Sequence, residues 1–67
     1  MYPLSVYEFL EMFPKTKFRI FCGYGLSDTV CFEEIKTYPW DYEHIEFLLE
    51  KTVASADFIN EIIYCEE

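Results

Sequence analysis

The chain has 67 residues with a net charge of −8, from thirteen Asp and Glu against five Lys and Arg, yet 52% of its residues are hydrophobic and 21% are aromatic. Acidic disordered segments are poor in aromatic residues, so this composition excludes disorder and predicts one folded domain over residues 1–67. The negative charge argues against direct binding to DNA, RNA or anionic membrane surfaces, because such binding depends on Lys and Arg.

The first predicted element is a helix over residues 6–13. Ser5, followed three residues later by Glu8, matches the capping box that begins many helices. The apolar residues after it recur at helical spacing, namely Val6, Phe9, Leu10 and Phe13. Pro14 then ends the helix.

Two strands are predicted next. In residues 16–22 apolar and polar side chains alternate, which is typical of a strand with one face in water. A glycine-containing loop follows, and residues 29–35 alternate again, so we expect the two strands to form an antiparallel hairpin. This arrangement directs Cys22 toward the core and Cys31 away from it.

The last third of the chain predicts a helix and a strand. The helix covers residues 40–51, begins after Pro39 and buries Ile45, Leu48 and Leu49. The C-terminal segment fits either a helix begun by Asp57 or a strand over residues 59–65. Its β-branched and aromatic residues favour the strand. The sequence also allows an extra short strand near residues 52–55, in addition to these elements.

Together these elements predict an α+β domain in which two helices accompany a small antiparallel sheet of about three strands, in the order α-β-β-α-β. The opening SVYEFLEMFPKTKFRIF resembles the start of many small proteins from prophages and mobile elements of Firmicutes. Those proteins begin with a short helix and pass through a turn into a strand. The resemblance covers the first third of the chain; it implies the same start and a phage or mobile-element origin, and it carries over no catalytic residue.

An acidic stripe on the second predicted helix is the main candidate for a binding surface. Glu43, Glu46 and Glu50 fall at i, i+3 and i+7, hence on one helix face, and span roughly 10 Å. Glu33 and Glu34 extend the row. The stripe is typical either of a docking face that mimics nucleic acid toward a basic protein, or of a solvated coat that keeps an apolar protein soluble.

Aromatic residues supply candidate contacts of two kinds. Trp40 and Tyr42 lie beside the acidic stripe and suit interface anchors, although Trp40 could instead cover the small core. Phe21 and Tyr24, on the outer face of the first strand and in its loop, suit a homodimer contact.

Two functions follow. The first is a non-enzymatic inhibitor or adaptor that docks on a basic, nucleic-acid-binding surface of a host protein complex. The chain is similar in size and charge to anti-CRISPR and anti-restriction proteins, which favours this interpretation. The second is a small structural or assembly protein that acts mainly through homodimerisation.

No catalytic, metal or cofactor site is predicted. Cys22, Cys31, His44 and Cys65 lack the close spacing of structural zinc ligands, and His44 has no neighbouring cysteine for a dyad. An odd number of cysteines argues against a disulfide framework and for a reducing compartment. With no signal peptide and no apolar run of ~20 residues, we expect a cytoplasmic protein, in the host cell if it is phage-encoded.

Overall fold

Three strands form one mixed sheet in the computed structural model, which describes residues 3–23 and 25–66. Strand β1 spans Arg19–Phe21, β2 spans Val53–Asp57 and β3 spans Ile62–Cys65. Strand β3 lies in the centre, parallel to β1 and antiparallel to β2. The α+β class and a small sheet of three strands are therefore confirmed. The sheet is mixed rather than antiparallel throughout, because β1 and β3 run in the same direction and are joined by a long crossover.

Helix α1 (Val6–Met12) begins with the predicted capping box. The backbone N–H of Glu8 donates to the Ser5 hydroxyl, and the N–H of Ser5 donates to the Glu8 carboxylate, each at 3.1 Å. These bonds satisfy two donors that a helix start leaves free. The N–H of Val6 donates to the carbonyl of Lys51 at 2.8 Å, which fixes the helix start beside the entry to β2.

The segment predicted as the second strand forms a helix instead. Helix α2 spans Phe32–Thr37, and only Val30 retains strand character, in an isolated antiparallel bridge to Phe18. Two acids in the first turn and Lys36 in the last turn of α2 complement the helix dipole. Glu and Lys are also poor strand formers. The short alternation over residues 29–35 therefore gave the wrong prediction.

The predicted second helix is divided into two pieces. A 3₁₀ helix spans Pro39–Ile45 and helix α3 spans Glu46–Leu49. The aromatic residues of the first piece lose rotamer freedom in an α-helix, which weakens the regular α-helical hydrogen bonding there. Ile45, with φ −114° and ψ 10°, marks the change between the two helices.

The C-terminal segment is a β-hairpin, which confirms the strand in preference to the helix. Strand β3 lies within the predicted residues 59–65, and β2 is the extra strand near residues 52–55. In the connecting turn the Asp57 carboxylate accepts the N–H groups of Ile59 and Asn60 at 2.9 and 3.1 Å. The Asp57 carboxylate thus accepts backbone N–H groups in a turn, as it would have done at the start of the alternative helix.

The core lies between the helices and one face of the sheet. Ile20 and Ile63 pair across β1 and β3 and are 1% and 0% exposed. The other main buried hydrophobic residues of this cluster are Val6, Phe9, Leu10, Phe18, Val30, Ile35, Ile45 and Leu49. On the opposite face of the sheet the rings of Phe21 and Tyr64 lie 5.8 Å apart.

Within residues 3–23 and 25–66, the helices are all too short or too polar to cross a membrane.

Candidate docking groove

An open groove of about 750 Å³ lies where the start of α1 meets α2, the 3₁₀ helix and α3. Its apolar lining comes from Tyr7, Ile35, Pro39, Tyr42 and Leu49. Its polar lining comes from Ser5, Lys36, Glu43, Glu46 and Glu50. We call this surface the acidic groove, because it presents three carboxylates and one ammonium.

The three glutamates of the predicted stripe share this groove even though their helix is not continuous. Residues three apart are aligned in a 3₁₀ helix, so Glu43 lies in line with Glu46. Residues four apart share a face in an α-helical turn, and the N–H of Glu50 donates to the carbonyl of Glu46 at 3.3 Å. All three side chains are exposed, so their charges act on anything that enters the groove.

Tyr42 is held at the groove by a hydrogen bond to the neighbouring helix. Its phenol donates to Oε2 of Glu34 in α2 at 2.6 Å. This bond to a carboxylate, with some desolvation, raises the pKa of Tyr42 to about 12. The phenol therefore stays neutral, and its ring forms part of the groove lining.

Glu33 and Glu34 lie in α2 and not on a strand as predicted. Glu34 bonds to Tyr42 and has the Nζ of Lys17 at 3.9 Å from its Oε1, so part of its charge is balanced within the protein. Glu33 is exposed in the first turn of α2. Neither residue lines the acidic groove, and their contact with a partner stays a prediction.

Trp40 lies outside the core, so the alternative in which it covers the core is wrong. Its side chain is 64% exposed and makes an edge-on contact with the ring of Tyr38, with 5.9 Å between centroids. Pro39, between them, lines the groove. An exposed Trp–Tyr pair beside a charged groove combines a large apolar area with polar tips, as interface anchors do.

The sequence did not reveal Tyr7 and Lys36 as groove residues. Tyr7 lies on α1, where its ring meets that of Phe32 in α2 at 5.3 Å, and Lys36 is on the last turn of α2. Both enter the groove through contacts between helices that are distant in sequence. The available signal was Tyr7 itself, an aromatic residue outside the apolar stripe of an amphipathic helix.

Of the two proposed dimer residues, the structure describes Phe21, which lies on another surface. Phe21 is on the outer face of the sheet and is 37% exposed. Tyr24 lies outside the described residues, so its part in a dimer stays a prediction.

A second, smaller pocket brings together Ser27, Asp41 and His44, residue types that nucleophilic catalysis uses. The Ser27 hydroxyl is already engaged, because it accepts the N–H of Ile20 at 2.9 Å and donates to the carbonyl of Asp28 at 2.8 Å. Its proton is thus directed to a backbone carbonyl and not to His44. The pocket carries no activated serine.

The cysteines differ in part from prediction. Cys22 is buried as expected, but Cys31 is also buried and its thiol donates to the carbonyl of Pro14 at 3.0 Å. Cys31 points inward because it precedes a helix, so strand alternation does not apply to it. Across residues 3–23 and 25–66, no group of three or more His, Cys, Asp or Glu side chains is arranged to hold a metal ion.

Comparison with known proteins gives no match to a family model, a curated protein or a solved structure. Function is therefore inferred from the side chains and surfaces of this chain alone.

Proposed function

We propose that this protein is a non-enzymatic inhibitor or adaptor that docks its acidic groove on a basic, nucleic-acid-binding surface of another protein. The observation that carries the proposal is the convergence of Glu43, Glu46 and Glu50 on one groove, with Trp40 exposed beside it. A phage or mobile-element origin and action in a host cytoplasm belong to the same proposal.

The mechanism combines electrostatic steering with aromatic anchoring. The net charge of −8 attracts a basic surface over several ångströms and accelerates the encounter. A Lys or Arg side chain of the partner then lays its apolar stem against Tyr7 and Leu49 and its charged head against the groove carboxylates. Trp40 adds buried area at the rim. Nucleic acid and this protein then compete for the same basic surface.

The test compares two variants of equal charge. In E43K/E46K/E50K the groove is reversed; in E11K/E61K/E66K three exposed acids elsewhere are reversed. Host proteins are captured on the wild-type chain at low salt, and the affinity of each captured protein is measured for all three chains. We expect the groove variant to lose binding and the control to retain most of it. Binding should also weaken steeply with salt, and single- or double-stranded nucleic acid should displace the chain.

The proposal is overturned if the groove variant binds as the wild type does, or if nucleic acid and the protein bind the captured partner simultaneously. If both variants lost the same binding affinity, net charge alone would explain the loss. That result would also contradict a role for the groove.

The outer face of the sheet favours homodimerisation as a second candidate function. Phe21, which is exposed, and Tyr64, which is half-buried, form a small aromatic pair there, on the face opposite the core. Sedimentation at micromolar concentration should then give a dimer that salt leaves intact and that Phe21→Ser dissociates. A monomer under these conditions removes this candidate.

A further inference from the structure

Cys22 follows the last residue of β1, and Cys65 is the last residue of the parallel strand β3. Ile20 pairs with Ile63, and Phe21 pairs with Tyr64. Continued by one residue, this register sets Cys22 against Cys65. Neighbouring strands lie about 4.8 Å apart, which falls within the Cα separation of roughly 4.4–6.8 Å that disulfides require.

Both thiols project from the same face of the sheet. Side chains alternate along a strand, so Cys22 shares the face of Ile20 and Cys65 shares that of Ile63, and both isoleucines are fully buried. Cys22 is itself 6% exposed, and Cys65 is partly buried. Burial, and after it the neighbouring Cys22 thiol, raises the pKa of the Cys65 thiol to about 11.

The third cysteine lies apart from this pair. Cys31 lies at the start of α2, and its thiol donates a hydrogen bond to the carbonyl of Pro14. The odd number of cysteines therefore divides into one facing pair and one single thiol. An odd number of cysteines argues against a disulfide framework for the whole chain, but it does not argue against a single disulfide between Cys22 and Cys65.

We propose that Cys22 and Cys65 form a modification site, a dithiol that small-molecule disulfides such as oxidised glutathione convert to an intramolecular disulfide between the ends of β1 and β3. The backbone there can adjust to bring the two Cβ atoms together. Cys22 lies beyond the last residue of β1 and precedes Gly23, which has a φ of 80°, while Cys65 is the last residue of β3.

The chemistry is a two-step thiol–disulfide exchange. The more accessible Cys65 loses its proton to water, and its thiolate attacks one sulfur of oxidised glutathione, releasing one glutathione thiolate. The Cys22 thiolate then attacks the Cys65 sulfur of the mixed disulfide and releases the second glutathione. Two protein thiols lose two electrons, one glutathione disulfide gains them, and the two protons end on the released glutathiones. Because little Cys65 thiolate exists at neutral pH, the reaction is slow there and accelerates as the pH rises.

The bond closes a long loop that contains α2, the 3₁₀ helix, α3 and β2. A cross-link of this length restricts the unfolded chain strongly, so we expect oxidation to raise the Tm by about 10 °C or more.

The experiment treats the folded chain with oxidised glutathione at neutral and mildly alkaline pH. Intact mass and peptide mapping then identify the product, and thermal unfolding is followed with and without reductant. We expect the wild type to lose two hydrogens, to show one peptide containing Cys22 and Cys65, and to keep Cys31 as a free thiol. Cys31→Ala should react in the same way, and Cys65→Ser should form no intramolecular cross-link.

Three results would overturn the proposal: a persistent glutathione adduct on Cys65 without cross-linking, a disulfide that includes Cys31, and an unreacted folded protein at alkaline pH. Peptide mapping of the wild type decides the matter even if a cysteine variant fails to fold.

Discussion

The phenol of Tyr42 donates a 2.6 Å hydrogen bond to the carboxylate of Glu34, joining the 3₁₀ helix to α2. The two helices form adjoining walls of the acidic groove, so this bond sets the position of one wall relative to the other. It also gives Glu34 a structural role, distinct from that of the groove glutamates.

Removing this phenol should change the alkaline behaviour of the protein. The folded-state pKa of Tyr42, about 12, lies above its unfolded value of 10.0. The bond's contribution to stability is thus fully present below pH 10 and is lost as the pH rises toward 12. We expect Tyr42→Phe to lower the free energy of unfolding by at most about 1 kcal/mol at neutral pH, because the site is partly exposed. Tyrosinate absorbance should show that the variant lacks the last tyrosine to ionise.

Tyr38→Phe is the matched control, since Tyr38 is an exposed neighbour whose ring contacts Trp40. If Tyr38→Phe and not Tyr42→Phe removed the late titration, the bond to Glu34 would not be the cause.

The central strand should be far more sensitive to truncation than the hairpin turn. Ile63 is completely buried between β1 and β2, whereas Ile59 in the turn is 93% exposed. Ile63→Ala should cost about 2–5 kcal/mol through lost burial and a cavity. A domain of this size has only roughly 3–10 kcal/mol of stability, so this variant should lose a large part of it. Ile59→Ala should change stability by less than about 0.5 kcal/mol. Urea unfolding followed by circular dichroism measures both, and similar costs at the two positions would contradict the structure.

The parts of the fold that sequence predicts well are those determined by neighbouring residues. The capping box of Ser5 and Glu8 depends on a spacing of three, so α1 was predictable almost to its ends. The strand character of residues 62–65 also follows from local composition. The α2 segment was missed because the short alternation over residues 29–35 fits a strand as well as a short helix. The neighbour that β1 has in the sheet, β3, lies more than forty positions away in the sequence, where no local pattern reveals it.

The same distinction applies to the candidate site. Glu43, Glu46 and Glu50 share a face through local geometry, so their stripe was visible in the sequence. Tyr7 and Lys36 complete the groove only through packing between helices, which no local pattern encodes.

The hairpin turn should give the protein an acid-dependent stability. The side-chain amide and backbone N–H of Asn60, with the N–H of Ile59, hold the pKa of Asp57 below its usual value of 3.8. A depressed folded-state pKa contributes stability that is present above the unfolded pKa and is lost as the pH falls through the folded value. Asp57→Asn keeps the turn shape but removes the charge, so we expect a less stable protein at neutral pH that loses less stability below about pH 4.

Asp28→Asn, which removes a carboxylate from another exposed loop, is the control for net charge. Urea midpoints at neutral and acidic pH provide the comparison. An equal change in the acid response of both variants would assign the effect to overall charge and not to the turn.

The residue that ends the same turn carries backbone strain that substitution should relieve. Glu61 has a φ of 57°, the only described non-glycine residue with a positive φ. This left-handed conformation costs an ordinary residue roughly 1–2 kcal/mol, and glycine adopts it freely. Glycine also gives the unfolded chain more conformational freedom, which lowers the free energy of unfolding by about 0.4–1 kcal/mol. We therefore expect Glu61→Gly to raise the free energy of unfolding by a net of about 0.5 kcal/mol. The Glu61 carbonyl would still accept the N–H of Arg19, because that 2.9 Å bond involves only the backbone.

Glu61→Gln removes the same charge without relieving the strain, so its urea midpoint should stay near that of the wild type. If the glutamine variant gains as much as the glycine variant, the stabilisation comes from reduced charge repulsion and the turn is not strained.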